Sequence, residues 1–299
     1  MRIAEVLRQR RPCISFEFFP PKTDEGVEKL IATVRSLRIL NPGFVSVTYG
    51  AGGSSRARTL EVTKRIKTEL DMEAMAHVTC VGHDRDELRA LFGELAAAGI
   101  ENVMALRGDP PQGEERFVAP ADGFAYASQL IALLSAEFGF SVGAAAYPEK
   151  HPEAPSLEAD VENAVRKVRA GAEFLVTQLF FDNDRYFAYV DQLAAAGIDV
   201  PVIPGIMPIT SYESIARMTK MSGARIPQRL LAELEARVDE PEAVAELGVA
   251  FAALQCRDLL SRGAPGLHFY TLNRSPATRA VVSALVAGNG ILSRHEALA

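Results

Sequence analysis

The chain has 299 residues, 48% of them apolar, and a formal net charge of −6. That suffices for one large core and argues against nonspecific nucleic-acid binding, which needs a basic surface. Cys13, Cys80 and Cys256 lie far apart with no C-x-x-C pair, so zinc is not expected and free thiols in a reducing cytoplasm are.

The N-terminus, Met1-Arg2-Ile3-Ala4-Glu5-Val6-Leu7-Arg8, is charged throughout and lacks the apolar core of a signal peptide. No run of about 18 apolar residues suggests a membrane span. Strands are predicted at 13–18, 44–48, 74–80, 102–106, 141–147, 174–179, 200–204 and 267–271. Most are continuous apolar runs, the pattern of strands buried on both faces of a parallel sheet. Helical stretches fall between them, among them 59–69, 85–98, 157–170 and 184–196.

A degenerate repeat supports the alternation. Leu95-Ala96-Ala97-Ala98-Gly99-Ile100, Arg169-Ala170-Gly171-Ala172 and Leu193-Ala194-Ala195-Ala196-Gly197-Ile198 each place Gly just past a helix and just before a strand. Eight strands alternating with helices predict a (β/α)8 barrel, the TIM barrel. A doubly wound open sheet is the alternative, but no dinucleotide fingerprint is present. Residues 206–266 break the rhythm, with helices predicted at 211–221, 227–238 and 241–262 and no strand. These are extra helices after strand seven, so residues 1–299 are expected to form a single domain.

In a barrel all strand ends meet on one face, where active sites sit. The ends here are Glu17, Thr48-Tyr49, His77, Arg107-Gly108-Asp109, Tyr147, Thr177-Gln178, Pro204-Gly205 and Tyr270, with Asn273-Arg274 just beyond. Glu17 sits in Ser15-Phe16-Glu17-Phe18-Phe19-Pro20-Pro21-Lys22. Its phenylalanine neighbours predict a raised pKa and a general acid, whereas an ion pair with a cation such as Lys22 would reverse the shift. Arg107 followed by Gly108 suits an anion clamp, although an Arg107–Asp109 pair holding a loop explains it equally.

Gly50-Ala51-Gly52-Gly53 precedes a helix, which favours phosphate, yet a flexible turn explains it as well. Tyr147-Pro148-Glu149-Lys150-His151-Pro152-Glu153 forms a stiff polar loop. Asp160, Asn163 and Lys167 share a helix face, with Arg166 beside them; a solvated surface is the usual meaning of such a face. His77 and His151 lack companions at metal-ligand spacing. Gln178 offers a donor and an acceptor to a heterocycle edge, or is a buried glutamine satisfied by backbone.

At these residues the chain resembles the methylenetetrahydrofolate reductase family in its bacterial single-domain form. The likeness runs through S-F-E-F-F-P-P-K at 15–22, V-S-V-T-Y-G-A-G-G-S-S-R at 45–56, A-H-V-T-C at 76–80 and A-L-R-G-D-P-P at 105–111. It continues through A-A-Y-P-E-K-H-P-E-A at 145–154, T-Q-L-F-F-D at 177–182, I-P-G-I-M-P at 203–208 and H-F-Y-T-L-N-R at 268–274.

The resemblance implies a barrel holding FAD. NADH or NADPH would reduce the flavin and leave, and 5,10-methylenetetrahydrofolate would then be reduced to 5-methyltetrahydrofolate in a ping-pong cycle; the family favours NADH. It makes Glu17 the acid that opens the folate five-membered ring and Asp109 a carboxylate near both flavin and pterin. Gln178 and Arg274 become folate contacts. The flavin site would draw on Thr48, Tyr49, Ala51, His77, Arg107, Gly108, Asp109, Tyr126, Ala127, Tyr147, His151, Ala154, Asp160, Asn163, Arg166 and Lys167.

Ser214 and Met218 depart from the longer amide and the aromatic of some relatives. A cytoplasmic homo-oligomer without metal, nucleic-acid or membrane partners is expected, as is the absence of a C-terminal regulatory domain and of S-adenosylmethionine inhibition. Rival readings are a flavin-free barrel enzyme on a phosphorylated or pterin substrate, with its phosphate at Gly50–Gly53, and a noncatalytic folate- or flavin-binding protein.

Overall fold

The computed structural model describes residues 1–49, 56–110, 113, 117–274 and 276–287. In chain order the elements are α1 (Ile3–Gln9), β1 (Cys13–Phe18), α2 (Asp24–Leu37), β2 (Phe44–Val47), α3 (Arg56–Leu70), β3 (Ala74–Thr79), α4 (Arg85–Ala97) and β4 (Asn102–Leu106). They continue with α5 (Ala127–Glu137), β5 (Ser141–Ala146), α6 (Leu157–Arg169), β6 (Phe174–Thr177), α7 (Asn183–Ala195), β7 (Val202–Ile203) and β8 (Gly205–Ile206). Three helices follow, α8 (Tyr212–Ser222), α9 (Gln228–Glu235) and α10 (Pro241–Ser261), then β9 (Gly266–Tyr270) and α11 (Pro276–Ala287).

The strands form one parallel sheet in the order β7-β6-β5-β4-β3-β2-β1-β9-β8. β7 pairs with β6 and β8 pairs with β9, so the two short strands close a ring. This is the expected α/β barrel, with one correction. The seventh strand does not run over 200–204 but is split into β7 and β8 around Pro204. Proline has no N–H to extend a ladder. Its carbonyl still accepts from the His268 amide at 3.0 Å, and the Gly205 amide turns to Thr177 Oγ1 at 2.9 Å.

Alternation along each strand divides the side chains between two cores. Ile14, Phe16, Phe18, Val45, Val47, Ala76 and Val78 face outward and pack beneath the helices. Cys13, Phe44, Met75, Met104, Phe174, Val176 and Ile203 fill the barrel interior. That interior also contains Ile3, Val6 and Leu7 from α1, which closes the N-terminal end of the barrel as a plug. The charged N-terminus conceals this helix when read for signal peptides, yet Ile3, Val6 and Leu7 share one face. The barrel satisfies its first amides: Ile3 N–H donates to Asn102 Oδ1 at 2.7 Å and Ala4 N–H to Ser141 Oγ at 3.2 Å. Each such apolar side chain contributes about 1.5–3 kcal/mol on burial.

Gly99, Gly171 and Gly197 take φ of +74°, +122° and +76°, as their places after helices predict. The helices expected at 211–221, 227–238 and 241–262 appear as α8, α9 and α10. They enclose a third apolar cluster, built on Leu179, Phe181, Ile209, Ile215, Leu230, Leu234 and Val244. Among the described residues no helix is long and apolar enough to cross a membrane. Cys13, Cys80 and Cys256 are buried free thiols.

Candidate active site

The barrel interior changes character at the C-terminal strand ends. Ser15 and Glu17 on β1, Ser46 on β2, His77 on β3 and His268 on β9 are all buried polar groups. Ser46, His77 and His268 converge on one oxygen of Glu17. Glu17 Oε2 lies 3.3 Å from His268 Nε2, 3.4 Å from His77 Nε2 and 3.5 Å from Ser46 Oγ, which donates to it. Oε1 has no hydrogen-bond partner among the described residues, and Glu17 is 8% exposed. Among the described residues, Thr48 Oγ1 and His77 Nε2 are buried without a well-formed hydrogen bond.

These neighbours overturn the raised pKa expected for Glu17. Burial is the largest influence and raises the carboxyl, but charge on His77, the hydrogen bond and charge of His268, and Ser46 together hold it below its ordinary value. Lys22 is not its partner; two imidazoles are. The lowering depends on imidazole charge, and burial pushes His77 down in turn, with Glu17 opposing. As His77 loses its proton, the desolvation of Glu17 acts with less opposition.

A second cluster forms where β4, β5 and α6 meet. Arg107 grips Glu153 through two bonds of 2.6 Å, rather than pairing with Asp109. Gly108 between them is required by the turn. Its φ is +90°, and a Cβ there would lie 2.6 Å from Val81 Cγ2 and 2.9 Å from Thr79 Cβ. Asp109 itself is exposed. His151 stands edge-on to Tyr147, with ring centroids 4.8 Å apart, and accepts from the Glu153 amide at Nδ1. Burial, then Arg107, lowers its pKa.

The α6 face is not a solvated surface. Asp160 and Lys167 are buried, while Arg166 is exposed and donates to Asn163 Oδ1. Asp160 Oδ2 accepts the His151 amide at 3.0 Å, and the loop after β5 is tied to the helix in this way. Lys167 Nζ donates to the Ala145 carbonyl and lies 5.8 Å from the Tyr147 ring centre. Burial brings its pKa down from 10.5 to about 8, against the pull of Asp160. Burial also raises Tyr147, with Asp160 and Asp109 adding to it.

The remaining candidates ring these clusters. Tyr49 donates to or accepts from His83 Nε2 at 2.8 Å, and burial raises its pKa to about 12. Tyr126 is 63% exposed at the start of α5, next to Ala127. Ala154 is buried and its carbonyl accepts from Lys150 Nζ at 2.6 Å. Gln178 lies just past β6, with Oε1 taken by the Leu179 amide at 2.8 Å, which leaves its NH2 group as the donor. Arg274 is exposed beyond β9, and its amide bonds the Thr271 carbonyl at 2.9 Å. Ser214 and Met218 lie on α8, where Met218 packs against the third apolar cluster. Ala51 and the Gly50–Gly53 loop lie outside the described residues.

Sequence reasoning missed His268, Ser15, Ser46 and Glu153. The signal for His268 was present: it is two residues before Tyr270 on one strand, and so faces the interior with it. Its meaning needed the pairing of β9 with β1.

Comparison with known proteins follows the same lines. Residues 2–286 match the family model described as methylenetetrahydrofolate reductase. A Salmonella typhimurium protein named 5,10-methylenetetrahydrofolate reductase is 40% identical over 283 residues, covering 95% of this chain and 93% of that one. An Arabidopsis thaliana protein named methylenetetrahydrofolate reductase (NADH) 1 is 39% identical, covering 91% of this chain; the chain spans about half that plant relative, 48% of its length. A solved Clostridium thermocellum protein, described as binding two copies of 5-methyl-5,6,7,8-tetrahydrofolic acid, aligns over 95% of this chain and 97% of its own. Its TM-score is 0.61 at 14% identity, a likeness of fold.

Proposed function

The chain belongs to the methylenetetrahydrofolate reductase family, and on that premise we propose that it reduces 5,10-methylenetetrahydrofolate to 5-methyltetrahydrofolate with NADH or NADPH, using FAD held at the barrel mouth. The observation that carries the reading is Glu17: a buried carboxyl at a strand end with one oxygen held by Ser46 and His268 and the other without a hydrogen-bond partner among the described residues.

The residues present fit a flavin. Thr48 Oγ1 and His77 Nε2 are buried polar atoms short of partners, and both belong to the proposed cofactor set. Arg107 and Lys167 supply cationic groups for a pyrophosphate, and an anion beside Lys167 would stabilise the ammonium that burial disfavours. When bound, FAD would supply the redox chemistry, accepting reducing equivalents from the nicotinamide and giving them to the folate in two half-reactions.

The chain's own contribution is acid chemistry and orientation. Glu17 would deliver a proton from Oε1 to the folate ring nitrogen that leaves, opening the five-membered ring to reduction. Flat ligands covering the mouth would strip water from Oε1 and add desolvation, which opposes the lowering by the histidines and favours the protonated carboxyl. Asp109 would stabilise positive charge developing on the opened folate, Gln178 would donate its NH2 group to the pterin edge, and Arg274 would meet the anionic tail.

An anaerobic visible spectrum of the FAD-reconstituted protein tests this. NADH should bleach the flavin band, and 5,10-methylenetetrahydrofolate should restore it. Protein that binds no flavin would favour the flavin-free barrel enzyme. Flavin that binds but is never bleached by either nicotinamide would favour a binding protein.

A further inference from the structure

The acid proposed for Glu17 has a support that nothing above assigns. Ser15 and Glu17 share the inner face of β1, and β9 pairs alongside with His268 opposite Ser15. His268 is fully buried. Phe44 stacks on it at 5.9 Å and Tyr270 stands edge-on at 5.5 Å. The ring therefore cannot turn without displacing two packed aromatics. Its Nδ1 lies 2.8 Å from Ser15 Oγ and its Nε2 3.3 Å from Glu17 Oε2.

Proton accounting gives these contacts a direction. Ser46 Oγ already donates to Oε2. Oε2 is thus the accepting oxygen of the carboxyl, and the acid proton belongs on Oε1, the oxygen without a hydrogen-bond partner among the described residues. To complete the set, His268 must present Nε2–H to Oε2. With Glu17 holding the acid proton and His268 neutral, the imidazole carries one N–H, so Nδ1 is then a bare acceptor. Ser15 supplies its proton: its hydroxyl is nearer Nδ1, at 2.8 Å, than the Leu267 carbonyl, at 3.3 Å. All donors run one way, from Ser15 through His268 to Glu17.

We propose that Ser15 and His268 are positioning residues for the acid, with Ser15 locking His268 as the Nε2–H tautomer so that Oε2 is stabilised as Glu17 gives up the proton on Oε1. When the O–H bond on Oε1 breaks and an N–H bond forms on the folate, the charge left on the carboxylate is met by Nε2–H and the Ser46 hydroxyl. This rests on the acid role proposed for Glu17. The other ionisable groups around the carboxyl are His77 from β3 and Tyr270 from β9, and Ser15 is not among the groups acting directly on either.

Ser15→Ala removes the lock and little volume. Two readouts on the FAD-loaded protein test it. Histidine-selective 15N spectra, with His268 assigned by its loss in His268→Gln among five histidines, should show Nε2–H in the wild type and a shift towards Nδ1–H in Ser15→Ala. In single-turnover reoxidation by 5,10-methylenetetrahydrofolate, Ser15→Ala should be about tenfold slower. The falling alkaline limb of its pH profile should move up by about one unit, since a lost hydrogen bond to the carboxylate favours the protonated form. Flavin reduction by NADH should be unchanged. An Nδ1–H tautomer in the wild type, or superimposable pH profiles, would overturn the proposal. The tautomer is measured without folate, so a protein that fails to reduce folate sinks the acid reading while the spectra still decide the Ser15–His268 lock.

Discussion

Arg107 and Glu153 are joined by two parallel hydrogen bonds, Nη1 to Oε2 and Nη2 to Oε1, each 2.6 Å long. This bidentate pair occupies the guanidinium proposed to meet the flavin phosphates. Glu153 is 54% exposed at its side chain and Arg107 22%, so the pair sits at the rim and is screened by solvent. Glu153→Gln should release Arg107 and tighten FAD binding. Rim pairs contribute roughly 0.2–1 kcal/mol, so the gain is up to about fivefold by fluorescence titration. Weaker FAD binding in the variant would show instead that Glu153 orients Arg107 for the ligand.

Glu17→Gln keeps the shape of the site and removes the proposed acid. Flavin reduction by NADH should stay near wild type. Folate reduction should fall by about 10²–10⁴, the usual share of a general acid. Stopped-flow measurement of the two half-reactions separates them, and near-normal folate turnover would remove Glu17 from the acid role.

Asp109 is exposed on the loop after β4, immediately beyond the turn at Gly108. Asp109→Asn should slow the folate half-reaction more than flavin reduction. A hydrogen bond involving a charged group is worth roughly 1.5–3 kcal/mol, which corresponds to a factor of about 10–100. Unchanged rates in both halves would make Asp109 a loop residue only.

Lys167 connects stability with binding. Its pKa falls from 10.5 to about 8 on burial. At neutral pH the charged form is therefore held in the folded protein at a cost of about 3 kcal/mol, from 1.36 kcal/mol per unit. Lys167→Met should raise the melting temperature of the flavin-free protein and weaken FAD binding at least tenfold.

The pH dependence has a definite sign. Between pH of about 8 and 10.5 the unfolded chain binds the Lys167 proton and the folded one does not, so wild-type stability rises relative to Lys167→Met across that window. Calorimetry of both proteins at pH 7, 8.5 and 10 should show the advantage of the variant shrinking. A constant difference would mean that the lysine titrates normally in the folded state.

Much of this site was visible in the chain before folding was considered. Glu17, His77, Arg107 and Tyr147 each end an apolar run, and a barrel gathers such ends. Asp160 and Lys167 were harder. Their spacing placed them on one helix face, but only the packing of α6 under β5 shows that the face is buried. The plug helix α1 was hidden because its charges lie on the outer face while Ile3, Val6 and Leu7 enter the barrel. The break at Pro204 reflects a lost amide donor, which shortens the ladder even where the apolar pattern continues.

The sequence by itself determined the strand and helix alternation, the glycines that end helices and the polar residue at each strand end. These follow from local periodicity and backbone freedom, which need no distant partner. Only the tertiary structure decided the charge environment of Glu17. Its immediate neighbours are phenylalanines and argue for a raised pKa. The groups that reverse this are His77, from β3, and His268, 251 residues away along the chain. Electrostatic and hydrogen-bonding terms act through space over a few ångströms, so their sign depends on which strands pair, and strand pairing is a property of the closed barrel.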